Sequence, residues 1–172
     1  MTAQIMEILI IDDKEHPIAT EPLESYLNNL TEKPPLIMKT TACWRGYQGT
    51  WSLIGKKLYL IHLDGLIKIM DERHEYFLED LFPNKTSVFA EWFSGDIRVP
   101  DGEMLEYVHA DYGSIYENDL FLKFKNGLLI NYDFLKNIKS SDETEINTRQ
   151  KKEARYKINF LRNFLRKYLG KN

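Results

Sequence analysis

Apolar and polar residues alternate in short runs along most of this chain, and only the last two dozen residues hold a sustained helical period. Ile5 to Ile11 is rich in β-branched residues and ends at Asp12-Asp13, which predicts a first strand. In "TEPLESYLNNL", Thr20 is placed as an N-cap, Pro22 falls in the first turn, and Leu23, Tyr26, Leu27 and Leu30 recur at helical spacing. After the loop "TEKPP", Ile37 to Ile54 and Lys57 to Ile69 predict two long strands around the tight turn "IGKK". "DERHEYFLEDLFPN" predicts a short helix closed by Pro83. "SVFAEWFSGDIRVP" predicts a strand stopping at Pro100-Asp101-Gly102, and "GEMLEYVHA" another strand. Asn126-Gly127 inside "LFLKFKNGLLINY" is the strongest hairpin signal in the chain. A polar linker follows, and 148–170 predicts a long helix.

These elements sum to an α+β fold. One curved, mainly antiparallel sheet of six or seven strands is expected, with two short helices and a long C-terminal helix packed on it. A chain of 172 residues suits a single domain over 1–172 and needs no covalent staple for its core. Cys43 is the one cysteine, so no intramolecular disulfide and no Cys-rich zinc site can form. The segment "MTAQIMEILIIDD" lacks early basic residues and its apolar run is short. It fits neither a signal peptide nor a membrane span, so a cytoplasmic protein is expected.

Charge divides the chain more sharply than its net −3 suggests. From Arg149 onward there are nine Lys/Arg against one Glu. The preceding 148 residues carry 14 Lys/Arg against 25 Asp/Glu, a net −11. The division is therefore an acidic, sheet-rich body over 1–140 and a basic amphipathic helix over 148–170. Within that helix Ala154, Ile158, Phe160, Leu161, Phe164, Leu165, Tyr168 and Leu169 cover about half the circumference, an arc wide enough to demand burial against the sheet. Arg155, Arg162 and Arg166 line the opposite side, where they form a solvated basic face, the commonest outcome, or meet phosphate, an anionic membrane or an acidic protein surface. Nucleic acid is disfavoured because the acidic body would repel it. Membrane insertion is disfavoured because the apolar arc has a sheet to cover. A homodimer exchanging this helix would satisfy the same asymmetry.

Two stretches raise candidate chemistry. "LYLIHLDG" and "EYVHADYG" each end an apolar run with His-x-Asp, and residues two apart in a strand share a face. His62 beside Asp64, and His109 beside Asp111, could work as general bases or jointly hold a metal if the strand ends met. Turn chemistry before a glycine explains the same residues without function. In "VFAEWFSGDIRV", Glu91 shares a face with Phe89, Phe93, Ile97 and Val99; it either needs a partner such as Arg45 or a histidine, or lies wet on an edge strand. In "CWRGYQGTW", Trp44 with Gln48 and Arg45 with Tyr47, Gly49 and Trp51 form opposite faces. Rings filling glycine gaps is the favoured reading, and an aromatic groove with Arg45 set for an anion is the other. Trp92, Tyr112, Tyr116, Glu117 and Asp119 have the composition of a binding surface. No Walker loop, dinucleotide fingerprint, Gly-x-Ser-x-Gly or His-Glu-x-x-His occurs, so no cofactor is expected.

The runs W-R-G-Y…T-W, V-F-A-E-W-F-S-G and Y-V-H-x-x-Y-G-S-x-Y-E, within residues about 40–122, resemble a group of small bacterial proteins to which no activity is attached. The resemblance implies a bacterial origin and a shared small-domain fold, and it transfers no site residue. Two functions are then expected to compete. One is a non-enzymatic protein-binding module for a basic partner, of the kind an immunity protein presents to a cationic toxin. The other is a small metal-assisted or acid–base hydrolase using His62, Asp64, His109, Asp111 and Glu91.

Overall fold

The computed structural model describes residues 2–137, 161–167 and 169. Nine strands form one mixed sheet: β1 Glu7–Ile11, β2 Lys14–Ile18, β3 Tyr47–Ile54, β4 Lys57–Ile69, β5 Glu72–Phe77, β6 Val88–Phe89, β7 Gly95–Glu106, β8 Ile115–Lys125 and β9 Leu128–Lys136. Helix α1 spans Glu24–Asn28, α2 spans Leu78–Leu81, and 161–167 is helical. The order is β2-β1-β3-β4-β9-β8-β7, with β5 and β6 also paired to β4.

The expected architecture needs correcting on three counts. The sheet is mixed, because β1 and β3 run parallel. A parallel return needs a long crossover, and residues 19–46, with α1, supply it. Among the described residues there are nine strands rather than six or seven. Among the described residues the helices are short, and no long C-terminal helix is present. Arg155 and the rest of the stretch 148–160 lie outside the described residues. Leu161, Phe164 and Leu165 do bury in the main core, at the spacing their periodicity requires.

Local chemistry explains the shifted boundaries. Asp12-Asp13 both take left-handed φ, 45° and 61°, the two-residue turn that matches strand twist, so the chain folds back at once into β2. Met70 and Asp71 do the same at 46° and 69°. The segment predicted as a helix from Asp71 therefore begins as strand β5, and only Leu78–Leu81 is helical. The exposed, charged "ERHE" of β5 suits an edge. Strand β7 runs through Pro100-Asp101-Gly102, where a turn is predicted. Its register with β8 shifts between Asp101 and Met104, so Gly102, at φ 87°, serves a bulge. Thr20 does not cap α1, whose N-cap is Leu23.

Instead Thr20 helps close the sheet. The Ala19 N–H donates to the Arg98 carbonyl at 2.9 Å, and the Arg98 N–H donates to Thr20 Oγ1 at 3.0 Å. These bonds join the ends of the strand order, β2 and β7, so the sheet curls round its own core. Leu9, Ile11, Trp51, Leu58, Leu60, Ile97 and Leu122 fill the interior with no appreciable exposure. The predicted Asn126-Gly127 hairpin joins β8 to β9. Gly127 sits at φ 74°, and a Cβ there would lie 2.6 Å from the Ala90 carbonyl oxygen. Backbone strain and a backbone clash thus oppose any side chain. Replacing Gly127 with Ala is expected to cost more than about 1 kcal/mol in urea unfolding, whereas Ile69→Thr, on an exposed face, should stay within about 0.5 kcal/mol.

Candidate functional site

Period two along β1 sends Glu7, Leu9 and Ile11 to the interior, and Glu7 has no exposed surface. In the neighbouring β3 the inward set is Tyr47, Gly49, Trp51 and Leu53. Gly49 makes the room for the acid: a Cβ there would lie 2.7 Å from Glu7 Oε2 and 2.9 Å from Trp51 Nε1. Through that gap the Trp51 indole N–H donates to Glu7 Oε2 at 2.5 Å. The glycine gap in "YQGTW" is filled by a carboxyl group as well as by a ring.

Arg45, just before β3, reaches the same spot. Its Nε lies 3.3 Å from Glu7 Oε1, though out of line for a hydrogen bond. Its Nη1 donates to the Tyr112 hydroxyl at 2.8 Å and stands 3.5 Å from Glu21 Oε1, to which Tyr112 donates at 2.7 Å. Burial pushes the Glu7 carboxyl up to about 8, against the opposing pull of Arg45, the Trp51 hydrogen bond and the Gly49 backbone. Burial likewise raises the Tyr47 and Tyr112 hydroxyls. Burial disfavours the Arg45 charge, but Glu7, Tyr112 and Glu21 more than offset it, so the guanidinium stays charged.

Beside this network a cleft of about 260 Å³ opens, with Glu21, Glu24, Leu27, Leu36, Arg45 and Tyr47 among its walls. The loop carrying Tyr112 is held from below by Arg98, which donates to the Tyr112 and Ser114 carbonyls at 2.8 and 3.0 Å. Arg98 also grips buried Asp119 through Nε at 2.7 Å and Nη2 at 3.3 Å, and Asn137 adds a third hydrogen bond to that carboxylate. Asp119 is therefore a structural anchor with its acceptors satisfied.

The other sequence candidates are dispersed. His62 is exposed on β4, and Asp64 pairs with Lys39 at 2.6 Å. His109 and Asp111 sit in the exposed loop after β7 rather than at a strand end, where the His109 ring meets Tyr107 edge-on at 4.5 Å. Among the described residues no three His, Cys, Asp or Glu side chains gather to hold a metal ion, so the two His-x-Asp pairs do not build one metal site. Glu91 is exposed because the chain turns between β6 and β7, with the Glu91 N–H donating to the Phe89 carbonyl. The buried acid that Arg45 faces is Glu7.

Trp92 donates to the Pro22 carbonyl at 3.1 Å and packs with Tyr26 and Phe82, so it fastens α1 to the sheet. Trp44 keeps 45% of its surface exposed. On β8, Tyr116 accepts from Asn137 through its carbonyl, and Glu117 accepts from the Glu103 N–H. Arg162 is exposed and lies over the Phe134 ring at 4.8 Å, and Arg166 is also exposed. Sequence reasoning passed over Glu7 and Glu21. The signal for Glu7 was available: a lone carboxylate in phase with Leu9 and Ile11.

The raised Glu7 carboxyl has a thermodynamic consequence. Between the ordinary 4.5 and about 8 the folded chain holds a proton that the unfolded chain has released. The stability this proton confers is present below 4.5 and is lost as pH rises towards 8. Urea unfolding across that window should show wild-type stability falling by roughly 1 kcal/mol or more. Glu7→Gln, neutral at every pH, should flatten the curve, and an unchanged slope in that variant would assign it elsewhere. No family model, curated protein or solved structure matches the chain, so its function has to be read from its own residues.

Proposed function

We propose that this protein is a non-enzymatic binding module for a protein partner with a basic surface. The single observation that carries this reading is the charge of the folded body. The described residues hold sixteen Lys/Arg against twenty-two Asp/Glu, a net −6, with Arg162, Arg166 and Lys167 of the packed segment 161–167 counted in. Exposed acids stand about the turns and on β7: Asp12, Asp13 and Glu15 about the β1–β2 turn, Asp71 and Glu72 about the β4–β5 turn, and Glu106 on β7, with Glu103 and Glu117 half-buried beside it. Such a field draws in a cationic protein and speeds the encounter more than it tightens the final complex. Exposed Met104, Tyr107 and Ile115 lie among the acids of β7 and β8 and supply the apolar contacts a specific interface needs.

Size and charge match what an immunity-type protein needs to neutralise a cationic toxin. That likeness is one of charge and size rather than of motif. The bacterial origin rests separately on the resemblance of the sequence runs within residues about 40–122. A cytoplasmic setting accords with the single free thiol, Cys43, buried and donating to the Tyr47 carbonyl. Among the described residues no helix is long and apolar enough to cross a membrane. The hydrolase alternative has no comparable support, since its five residues are scattered.

The test is association measured against salt. The full chain, immobilised at low salt, should retain a basic protein from its native host. The on-rate for that protein should fall by about tenfold or more between low and high salt, with a smaller change in off-rate. Charge reversal of Glu103 and Glu106 to Lys should slow association further. Retention of acidic proteins alone, or an on-rate indifferent to salt, would overturn the proposal.

A further inference from the structure

Glu7 and Arg45 face each other across an unfinished contact. Arg45 Nε and Nη2, which share one edge of the guanidinium, have no hydrogen-bond partner among the described residues, and neither has Glu7 Oε1. Nε already stands 3.3 Å from that oxygen. All three atoms are shut off from water, so only groups inside the fold can satisfy them. An edge with two parallel N–H donors has the shape that a carboxylate accepts in bidentate fashion. The remaining nitrogen, Nη1, is engaged elsewhere. It donates to the Tyr112 hydroxyl at 2.8 Å and stands 3.5 Å from Glu21 Oε1.

The Glu7 proton decides which set of bonds Arg45 favours. A neutral carboxyl offers little to a cation, and Arg45 is then balanced by Glu21, which also accepts from Tyr112 at 2.7 Å. An ionised Glu7 is a charge in the core that must be paired, and Arg45 is the opposing charge beside it. The other titratable groups about the pair are Cys43 and Tyr47 next to Arg45, Glu21, Glu24 and Tyr112 on its outer side, and His16 on the inward side of β2. Among these groups only Arg45 is positive at every working pH.

We propose that Arg45 is a two-position latch: it holds Tyr112 and Glu21 while Glu7 keeps its proton, and closes in bidentate fashion on Glu7 once that proton leaves to solvent. Closure moves Nη1 off the Tyr112 hydroxyl and releases the side-chain tie on the loop between β7 and β8. Bonds from Arg98 to the Tyr112 and Ser114 carbonyls, and from the Gln4 N–H to the Asp111 carbonyl at 3.0 Å, hold in either position. The loop therefore loosens without leaving the body. Tyr107 and Ile115 flank it, so the latch also regulates the surface offered to the basic partner. That consequence alone rests on the proposed function.

A pH titration of the full chain by nuclear magnetic resonance, with no partner present, tests the latch. The Trp51 indole N–H, bonded to Glu7 Oε2, should shift with a midpoint of about 8. The backbone amides of 108–114 should shift with the same midpoint. Their hydrogen-exchange protection, corrected for the intrinsic effect of pH, should fall about threefold or more above it. Glu7→Gln should abolish both changes and keep the loop in its low-pH state. Tyr112→Phe removes the hydroxyl that competes with Glu7 for Arg45. In that variant the Trp51 midpoint should move to lower pH, and the loop should lose its transition. Tyr112 is only half-buried, so this variant decides the matter even where Glu7→Gln does not fold. His109 lies in the same loop, so His109→Gln is the control and should leave both transitions in place. A Trp51 signal that does not titrate overturns the proposal, as does loop protection that stays constant while it titrates. So does a loop transition that survives Glu7→Gln or vanishes with His109→Gln, or an unmoved Trp51 midpoint in Tyr112→Phe.

Discussion

A carboxyl group buried between two parallel strands is the constraint round which this molecule is arranged. Glu7 occupies a core position in β1, and an acid there survives only if its neighbours answer for it. Gly49 gives up a side chain to make space, Trp51 turns its one polar atom towards the acid, and Arg45 brings its guanidinium alongside. Each of these has a second effect. Arg45, drawn inward, links to Tyr112 and Glu21 and so ties three loops together. Tyr47, next on the same face, forms the wall of the cleft. The polar cluster is thus less an addition to the core than the element that sets the register of β1 against β3.

A second buried pair supports the first. Arg98 and Asp119 sit where β7 meets β8, and the same guanidinium holds the carbonyls of the loop that presents Tyr112. The backbone of Arg98 meanwhile completes the union of β2 with β7. One residue therefore couples closure of the sheet to placement of the tyrosine that faces Arg45. The two pairs differ in how well they are satisfied. Asp119 has a full complement of donors, whereas Glu7 and Arg45 meet at a distance without alignment. The tighter pair holds the frame, and the looser one borders the cleft.

Much of the sheet was legible in the chain. β1, β3 and β4 in outline, and the β8–β9 hairpin, follow from alternation and from Asn126-Gly127, signals that act within a few residues. The errors cluster where a local signal has two outcomes. Asp12-Asp13 and Met70-Asp71 lack the glycine that usually marks a tight hairpin, so the local pattern carries no sign of β2 and predicts a helix where β5 begins. Pro100-Asp101-Gly102 has turn composition but serves a bulge, which only the opposite strand could reveal. The site was harder still. Arg45 and Tyr112 stand out in the sequence, but their meeting with Glu7 and Glu21 depends on strands pairing across more than forty residues of sequence. The paired histidines drew notice by repetition, and repetition along a chain does not bring side chains together in space.

The union of β2 with β7 joins Thr20 to Arg98, residues 78 apart. The hairpins need only local loops, each closing cheaply, and so can form early on the path from the unfolded chain. The β2–β7 junction and the parallel β1–β3 contact must wait for large loops to be drawn in, at greater entropic cost. Assembly of this protein should therefore be slow for its length. Its late barrier is the passage from a ribbon of finished hairpins to a closed wall, and crossing it carries the Trp51 indole from water to the side of Glu7.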